Sequence, residues 1–193
     1  MGVISNTTTQ NCTIAIWKIT ETLGKLLQLA NKISIADFNT ERRKKEWIAS
    51  RLLLNEINPN YSISYNAFGA PELSNGSFIS ISHSKGLVAI IISQQQVGLD
   101  IEEISVKALR VSAKFVSTNN LKALTTERAT LIWCCKEAVF KWHQKGEVDF
   151  IADIKLHPFE SMEKGEIRAE FRNTPLILNY QKIHNHYLVY VCK

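Results

Sequence analysis

Three carboxylates and one lysine offer most of the chemistry in this sequence. Asp100 and Glu102 stand two residues apart in Val97–Gly98–Leu99–Asp100–Ile101–Glu102, and Glu137 stands four residues before Lys141 further on. Read as a strand, the first stretch puts Val97, Leu99 and Ile101 on one face and Gly98, Asp100 and Glu102 on the other. Two carboxylates on one face, beside a residue with no side chain, form an oxygen-rich surface suited to a hard cation such as Mg²⁺. The same alternation also describes a half-exposed strand with a solvated acidic face, and spacing alone does not choose between them. Glu137 and Lys141, spaced i and i+4 on a helix, are either a surface ion pair or two functional groups on one face. Lys136 sits about 100° further round and so meets a different part of any bound ligand. Two more residues are conspicuous. His83, in a polar Ser82–His83–Ser84 stretch read as a turn, either bonds locally or donates to a phosphate. Arg51, among Trp47, Ile48, Leu52 and Leu53, needs a carboxylate or an anionic ligand.

The elements that must position these groups alternate between helical and extended patterns. A β-branched strand over 13–19 precedes a helix over 21–30. A longer helix, capped by Asn39 or Thr40, runs to about Ile57 and stops at Asn58–Pro59. Short strands follow over 62–68, 77–82 and 87–93, and Gln94–Gln96 reads as a hinge into the acidic strand. Helices are expected over 105–116, 119–124 and 127–145, then strands over 151–156, 166–171, 176–183 and 186–191. Each half is thus a small antiparallel sheet packed with helices, an α+β architecture of two lobes, 1–96 and 97–193. The apolar face of the acidic strand is expected to build the second lobe's core, and its acidic face to look into the cleft between lobes.

Composition bounds the function. The chain has 193 residues, 45% hydrophobic and 21% charged, with a net charge of +5. That mild basicity suits an anionic ligand or an acidic partner, while the basic run Arg42–Lys45 is too short to argue for nucleic acid. The four cysteines lack metal-ligand spacing, and Cys134 and Cys135 diverge on a helix, so reduced thiols in a cytoplasmic protein are expected. The longest apolar run, Leu87–Ile92, is too short to cross a membrane. No phosphate-binding P-loop, dinucleotide-binding glycine motif, nucleophile elbow or zinc-spaced histidine pair is present.

Taken in order, Ile81-Ser-His-Ser84, Val97-Gly-Leu-Asp-Ile-Glu102 and Trp133-Cys-Cys-Lys-Glu-Ala138 with Lys141 resemble the 4′-phosphopantetheinyl transferase superfamily, in its long, surfactin-type branch. Glu46-Trp-Ile-Ala-Ser-Arg51 resembles the family's first-half helix, Lys114-Phe-Val-Ser117 its R-F-x-S segment, and Gly146–Phe150 the stretch after its catalytic helix. The resemblance spans about Glu41 to Phe150. It implies a pseudo-twofold pair of α+β lobes with coenzyme A, a substrate, bound at their interface. It implies further that Asp100, Glu102 and Glu137 hold Mg²⁺, with Mn²⁺ able to substitute, and that Lys141 and Lys136 meet phosphates. Arg51, Ser82 and His83 would hold the adenosine end, notably its 3′-phosphate. The implied reaction is transfer of the phosphopantetheine arm to a serine of an apo acyl or peptidyl carrier protein, with Glu137 and Lys141 catalytic. No nucleic-acid or membrane partner is implied, and one chain carrying both lobes is expected to act as a monomer. Two departures stand out. Ala70 occupies the lysine position of the family's Gly-Lys-Pro, and Asn119 and Asn120 stand where the family carries Glu. The competing expectation is therefore a non-catalytic module that binds coenzyme A or a carrier protein.

Overall fold

A computed structural model describes residues 3–8, 11–31, 33, 35, 38–117, 121 and 124–193. Its strands form two antiparallel sheets, each drawn from one half of the chain. The first contains β1 (Val3–Thr8), β2 (Cys12–Lys18), β3 (Ile63–Tyr65), β4 (Pro71–Leu73), β5 (Phe78–Ser84) and β6 (Leu87–Ser93), in the order β1-β2-β6-β5-β4-β3. The second runs β7-β11-β10-β9-β8, from β7 (Val97–Glu103), β8 (Ile154–Leu156), β9 (Lys164–Phe171), β10 (Thr174–Ile183) and β11 (His186–Cys192). The α+β class is as the sequence reads.

Strand β6 explains how the layers stack. All seven of its residues are buried, which requires cover on both faces and accounts for its unbroken apolar sequence. Val88, Ile90 and Ile92 pack with residues of α1 (Leu23–Leu29) and α2 (Glu41–Ile57). Leu87, Ala89 and Ile91 pack against Val97, Leu99 and Ile101 of β7. The apolar face of β7 thus joins the two halves, rather than filling a core private to the second. Each of those three β7 side chains is fully buried, worth roughly 2 kcal/mol apiece. A one-residue slip would turn all three away from β6 and toward α4, so this burial fixes which way Asp100 and Glu102 point.

They point at α4 (Thr126–His143), which covers the other face of the second sheet through Leu131, Cys134, Cys135, Ala138 and Val139. Gly98 makes the approach possible: a Cβ there would lie 2.0 Å from the Ala138 carbonyl oxygen and 2.5 Å from the Trp142 nitrogen. The long helices begin where their capping residues require. Thr40 Oγ1 accepts the Arg43 N–H at 3.3 Å, and Thr125 Oγ1 accepts that of Arg128 at 3.2 Å.

Several local expectations give way. Strand β1 pairs with β2 although its sequence is mostly polar, as an edge strand allows. Ser82–Ser84 lie within β5, and only Lys85–Gly86 form the turn. The expected helix over 105–116 is a short α3 (Val106–Arg110) followed by a 3₁₀ turn at Ser112–Lys114. The helix expected over 119–124 falls largely outside the described residues. Gln94–Gln96 are pinned: the Gln94 amide donates to Ser77 Oγ, the Gln95 N–H to Ser93 Oγ and the Gln96 amide to the Trp142 carbonyl.

Candidate active site

Three elements from both halves meet at Asp100. From β7 its carboxylate reaches α4, where Lys141 Nζ donates to Oδ1 at 2.6 Å, and β5, where Ser82 Oγ donates to the same oxygen at 2.7 Å. Lys141 also donates to Ser82 Oγ at 2.9 Å, closing a triangle. Asp100 is 2% exposed, and its Oδ2 is buried with no hydrogen-bond partner. A buried carboxylate is tolerable only because Lys141 neutralises it. In turn Asp100 holds Lys141 above the ordinary lysine range, against the opposing pull of burial.

The second carboxylate is set by the same alternation of β5 and β7. Ser84 Oγ donates to Glu102 Oε2 at 3.1 Å and accepts the Glu103 N–H at 3.1 Å, while Trp133 Nε1 donates to Glu102 Oε1 at 3.4 Å. Ser80 closes the row by accepting the Leu99 N–H at 3.0 Å. One face of β5 is therefore a ladder of hydroxyls against β7, while Ile79 and Ile81 face the α2 side. Burial and then the Asp100 charge push Glu102 above the usual carboxylate range. Glu137, one helical turn before Lys141, is pushed up to about 7 by burial and then by Asp100, with Lys141 opposing.

Mutual repulsion among one buried and two half-buried carboxylates is the condition a divalent cation relieves. The donors are all oxygens, and the unpartnered Asp100 Oδ2 is an acceptor left over, so the set's chemistry fits a hard cation. Among the described residues, no group of three or more His, Cys, Asp or Glu side chains already stands in metal-binding arrangement. Lys141, on Asp100, is the cation that the site itself supplies.

Beside this cluster lies a cleft of about 550 Å³, lined from α2, β5, α4 and the residues before β4. Arg51 enters it stacked on Trp47, its guanidinium 4.1 Å from the ring centroid, and donates to Ser50 Oγ and the Tyr65 hydroxyl. Those partners are neutral, so its charge is uncompensated by them and available to an anion. His83 faces α2. Arg43 Nη1 donates to its Nε2 at 2.8 Å, and Glu46 Oε2 lies 3.3 Å from its Nδ1. Burial holds the His83 pKa below the ordinary histidine value, Glu46 opposing and Arg43 and Lys141 reinforcing. Ala70, at the family's lysine position, lines the same cleft.

The structure brings Asp100, Glu102, Glu137, Lys141 and Ser82 together, with Arg51 and His83 in the adjoining cleft. Lys136 goes elsewhere. Its ammonium is buried and donates to the carbonyls of Phe150 and Ile154; burial lowers its pKa to about 8. It stabilises the loop after α4 instead of facing the cleft of Arg51 and His83. Two cleft residues, Arg43 and Glu46, are absent from the sequence assignment. They sit in what reads as a solvated charge run. The signal for Arg43 is the i, i+4, i+8 series Arg43, Trp47, Arg51, which lays three ligand-capable groups along one face of α2.

Fold and site together define a class: an α+β protein whose two sheets close on a carboxylate–lysine cluster beside a basic cleft. A family model described as the 4′-phosphopantetheinyl transferase superfamily matches residues 96–192. The match runs from the residue before β7 through β11 and includes Asp100, Glu102, Glu137 and Lys141. The chain belongs to the 4′-phosphopantetheinyl transferase superfamily. Membership implies phosphopantetheinyl transfer, in a family that uses coenzyme A, acts on carrier proteins and usually employs a divalent metal. No curated relative matches the chain. No helix among the described residues is long and apolar enough to cross a membrane.

Proposed function

We propose that this protein transfers the 4′-phosphopantetheine arm of coenzyme A to a serine of an apo carrier protein, in a Mg²⁺-dependent reaction that releases 3′,5′-ADP. The observation that carries this reading is the meeting of Ser82, Asp100 and Lys141, within 2.6–2.9 Å, beside a basic cleft. The regions 1–96 and 97–193 would serve as the two lobes, with the nucleotide between them.

In this reaction the serine hydroxyl attacks the β-phosphorus. A new P–O bond forms to serine, the P–O bond to the oxygen of 3′,5′-ADP breaks, and the serine proton must be taken up. Glu137 is suited to take it, as the α4 carboxylate one helical turn before Lys141 and close enough to Asp100 to feel its charge. Lys141 supplies a positive charge for oxygens that become more negative as the bond breaks. Asp100, Glu102 and Glu137 would hold the Mg²⁺, whose contribution when bound is neutralisation of the pyrophosphate. Arg51, with Arg43 and His83 beside it, would bind the nucleotide end, notably the 3′-phosphate. Arg43 offers the cleft a positive charge where Ala70 offers none. Lys136 is assigned to the fold.

The test is Glu137→Gln, which keeps the side chain's shape and removes its ability to accept a proton. Transfer is expected to be abolished while 3′,5′-ADP binding stays measurable by calorimetry. Turnover within a few fold of wild type would overturn the role of Glu137.

A further inference from the structure

Glu46 is the most deeply buried acid among the described residues of the first half, and nothing in the proposed reaction uses it. It is 1% exposed, and neither carboxylate oxygen accepts a hydrogen bond. Two guanidinium charges and the imidazole edge surround it: Arg42 Nη1 lies 3.7 Å from Oε1, and Arg43 Nη1 and His83 Nδ1 lie 3.7 and 3.3 Å from Oε2. Two of those three partners, Arg43 and His83, line the cleft.

We propose that Glu46 is a positioning residue that keeps His83 and Arg43 as a coupled pair, so that a phosphate monoester enters the cleft together with one proton on His83. The proposal rests on the nucleotide-binding reading above. Its geometric basis is the 2.8 Å bond from Arg43 Nη1 to His83 Nε2. A guanidinium only donates, so Nε2 carries no hydrogen here and the imidazole is neutral, with its hydrogen on Nδ1 toward Glu46. A phosphate dianion only accepts. For His83 to bind one through Nε2, that nitrogen must gain a proton from solvent while Nδ1 keeps its own. The resulting imidazolium can no longer accept from Arg43, which is then free to donate to the same anion. Anion binding, protonation of His83 and release of Arg43 are therefore one event.

The charges facing His83 show why Glu46 is needed. On α2 these are Glu46 and Arg43, with Arg42 beyond Glu46, and on α4 there is Lys141. All but Glu46 are cations that oppose an imidazolium. Burial already disfavours the charged ring. Glu46 is the single acid in that set that pays for the extra proton before the phosphate arrives, and it stabilises the ring on the side opposite the ligand.

Calorimetry of the whole protein with 3′,5′-ADP, near neutral pH in two buffers of different ionisation heat, counts the protons taken up. Wild type is expected to take up a fraction of a proton. Glu46→Gln should bind about tenfold more weakly, in line with loss of a charged interaction, and take up almost none. Glu46→Asp, which keeps the charge on a shorter stem, should recover part of the uptake. 5′-AMP, which is 3′,5′-ADP without its 3′-phosphate, should show no uptake and no difference between variants. Wild-type uptake of zero, or Glu46→Gln with unchanged affinity and uptake, overturns the inference while leaving nucleotide binding standing. Failure of wild type to bind 3′,5′-ADP at all overturns the nucleotide reading itself.

Discussion

Replacing Gly98 by alanine tests how the site is built, because the glycine is where β7 and α4 come closest. The added Cβ would sit 2.0 Å from the Ala138 oxygen, 2.5 Å from the Trp142 nitrogen and 2.7 Å from the Trp142 Cβ. The first two are backbone atoms of a helix, which no rotamer change can move. Normal packing requires the helix to retreat by more than about 1 Å, and overpacking of this kind costs roughly 1–3 kcal/mol. With backbone on the receiving side, the upper end applies, about 3 kcal/mol. For a chain of this size that is a melting temperature lower by about 6–12 °C. The same retreat carries Lys141 away from Asp100, now 2.6 Å away, and Glu137 away from the strand. Thermal unfolding and carrier modification are the assays. Melting should fall by several degrees, and transfer should fall further than 3′,5′-ADP binding, since the cationic part of the cleft is built mainly on α2 and β5. A Gly98→Ala variant that melts within a degree of wild type would refute the close approach and the reasoning built on it.

Two more outcomes follow from individual side chains. Glu137 has its folded pKa raised to about 7 from 4.5, so the folded protein binds the extra proton and stability from this group falls as pH rises between those values. The loss is at most about 3 kcal/mol. Melting of wild type relative to Glu137→Gln, in chelator, should decline across that window, and Mg²⁺ should reverse most of the decline; a flat difference would contradict the assignment. Lys136→Met should lower stability by about 1–3 kcal/mol, because two buried carbonyls lose their donor, and leave 3′,5′-ADP affinity unchanged within about twofold. Unchanged melting with a large loss of affinity would return Lys136 to the ligand set.

What the sequence made legible depended on whether local pattern and tertiary environment agreed. The cap at Thr40, the buried run of β6 and the inward face of β7 carry their own signals in capping chemistry and alternation. The carboxylates and Lys141 were legible through motif spacing. Ser82–His83–Ser84 misled because polar residues read as a turn, whereas in β5 the hydroxyls are partners for β7 and the imidazole turns to α2. Lys136 misled for a related reason. Helical geometry gives its angle from Glu137 but not which neighbour lies there, and that neighbour is the carbonyl-rich loop at Phe150–Ile154. Glu46 could not be distinguished from a solvated charge until β5 covered it.

Mass spectrometry of an apo acyl carrier protein, incubated with coenzyme A, Mg²⁺ and this protein, reads phosphopantetheinyl transfer itself. The carrier serine should gain the mass of one phosphopantetheine arm, with one 3′,5′-ADP released per carrier and neither product formed by Glu137→Gln. Coenzyme A bound without any mass gain, across fatty-acid, polyketide and peptide-synthetase carriers alike, would contradict it and identify a binding module instead.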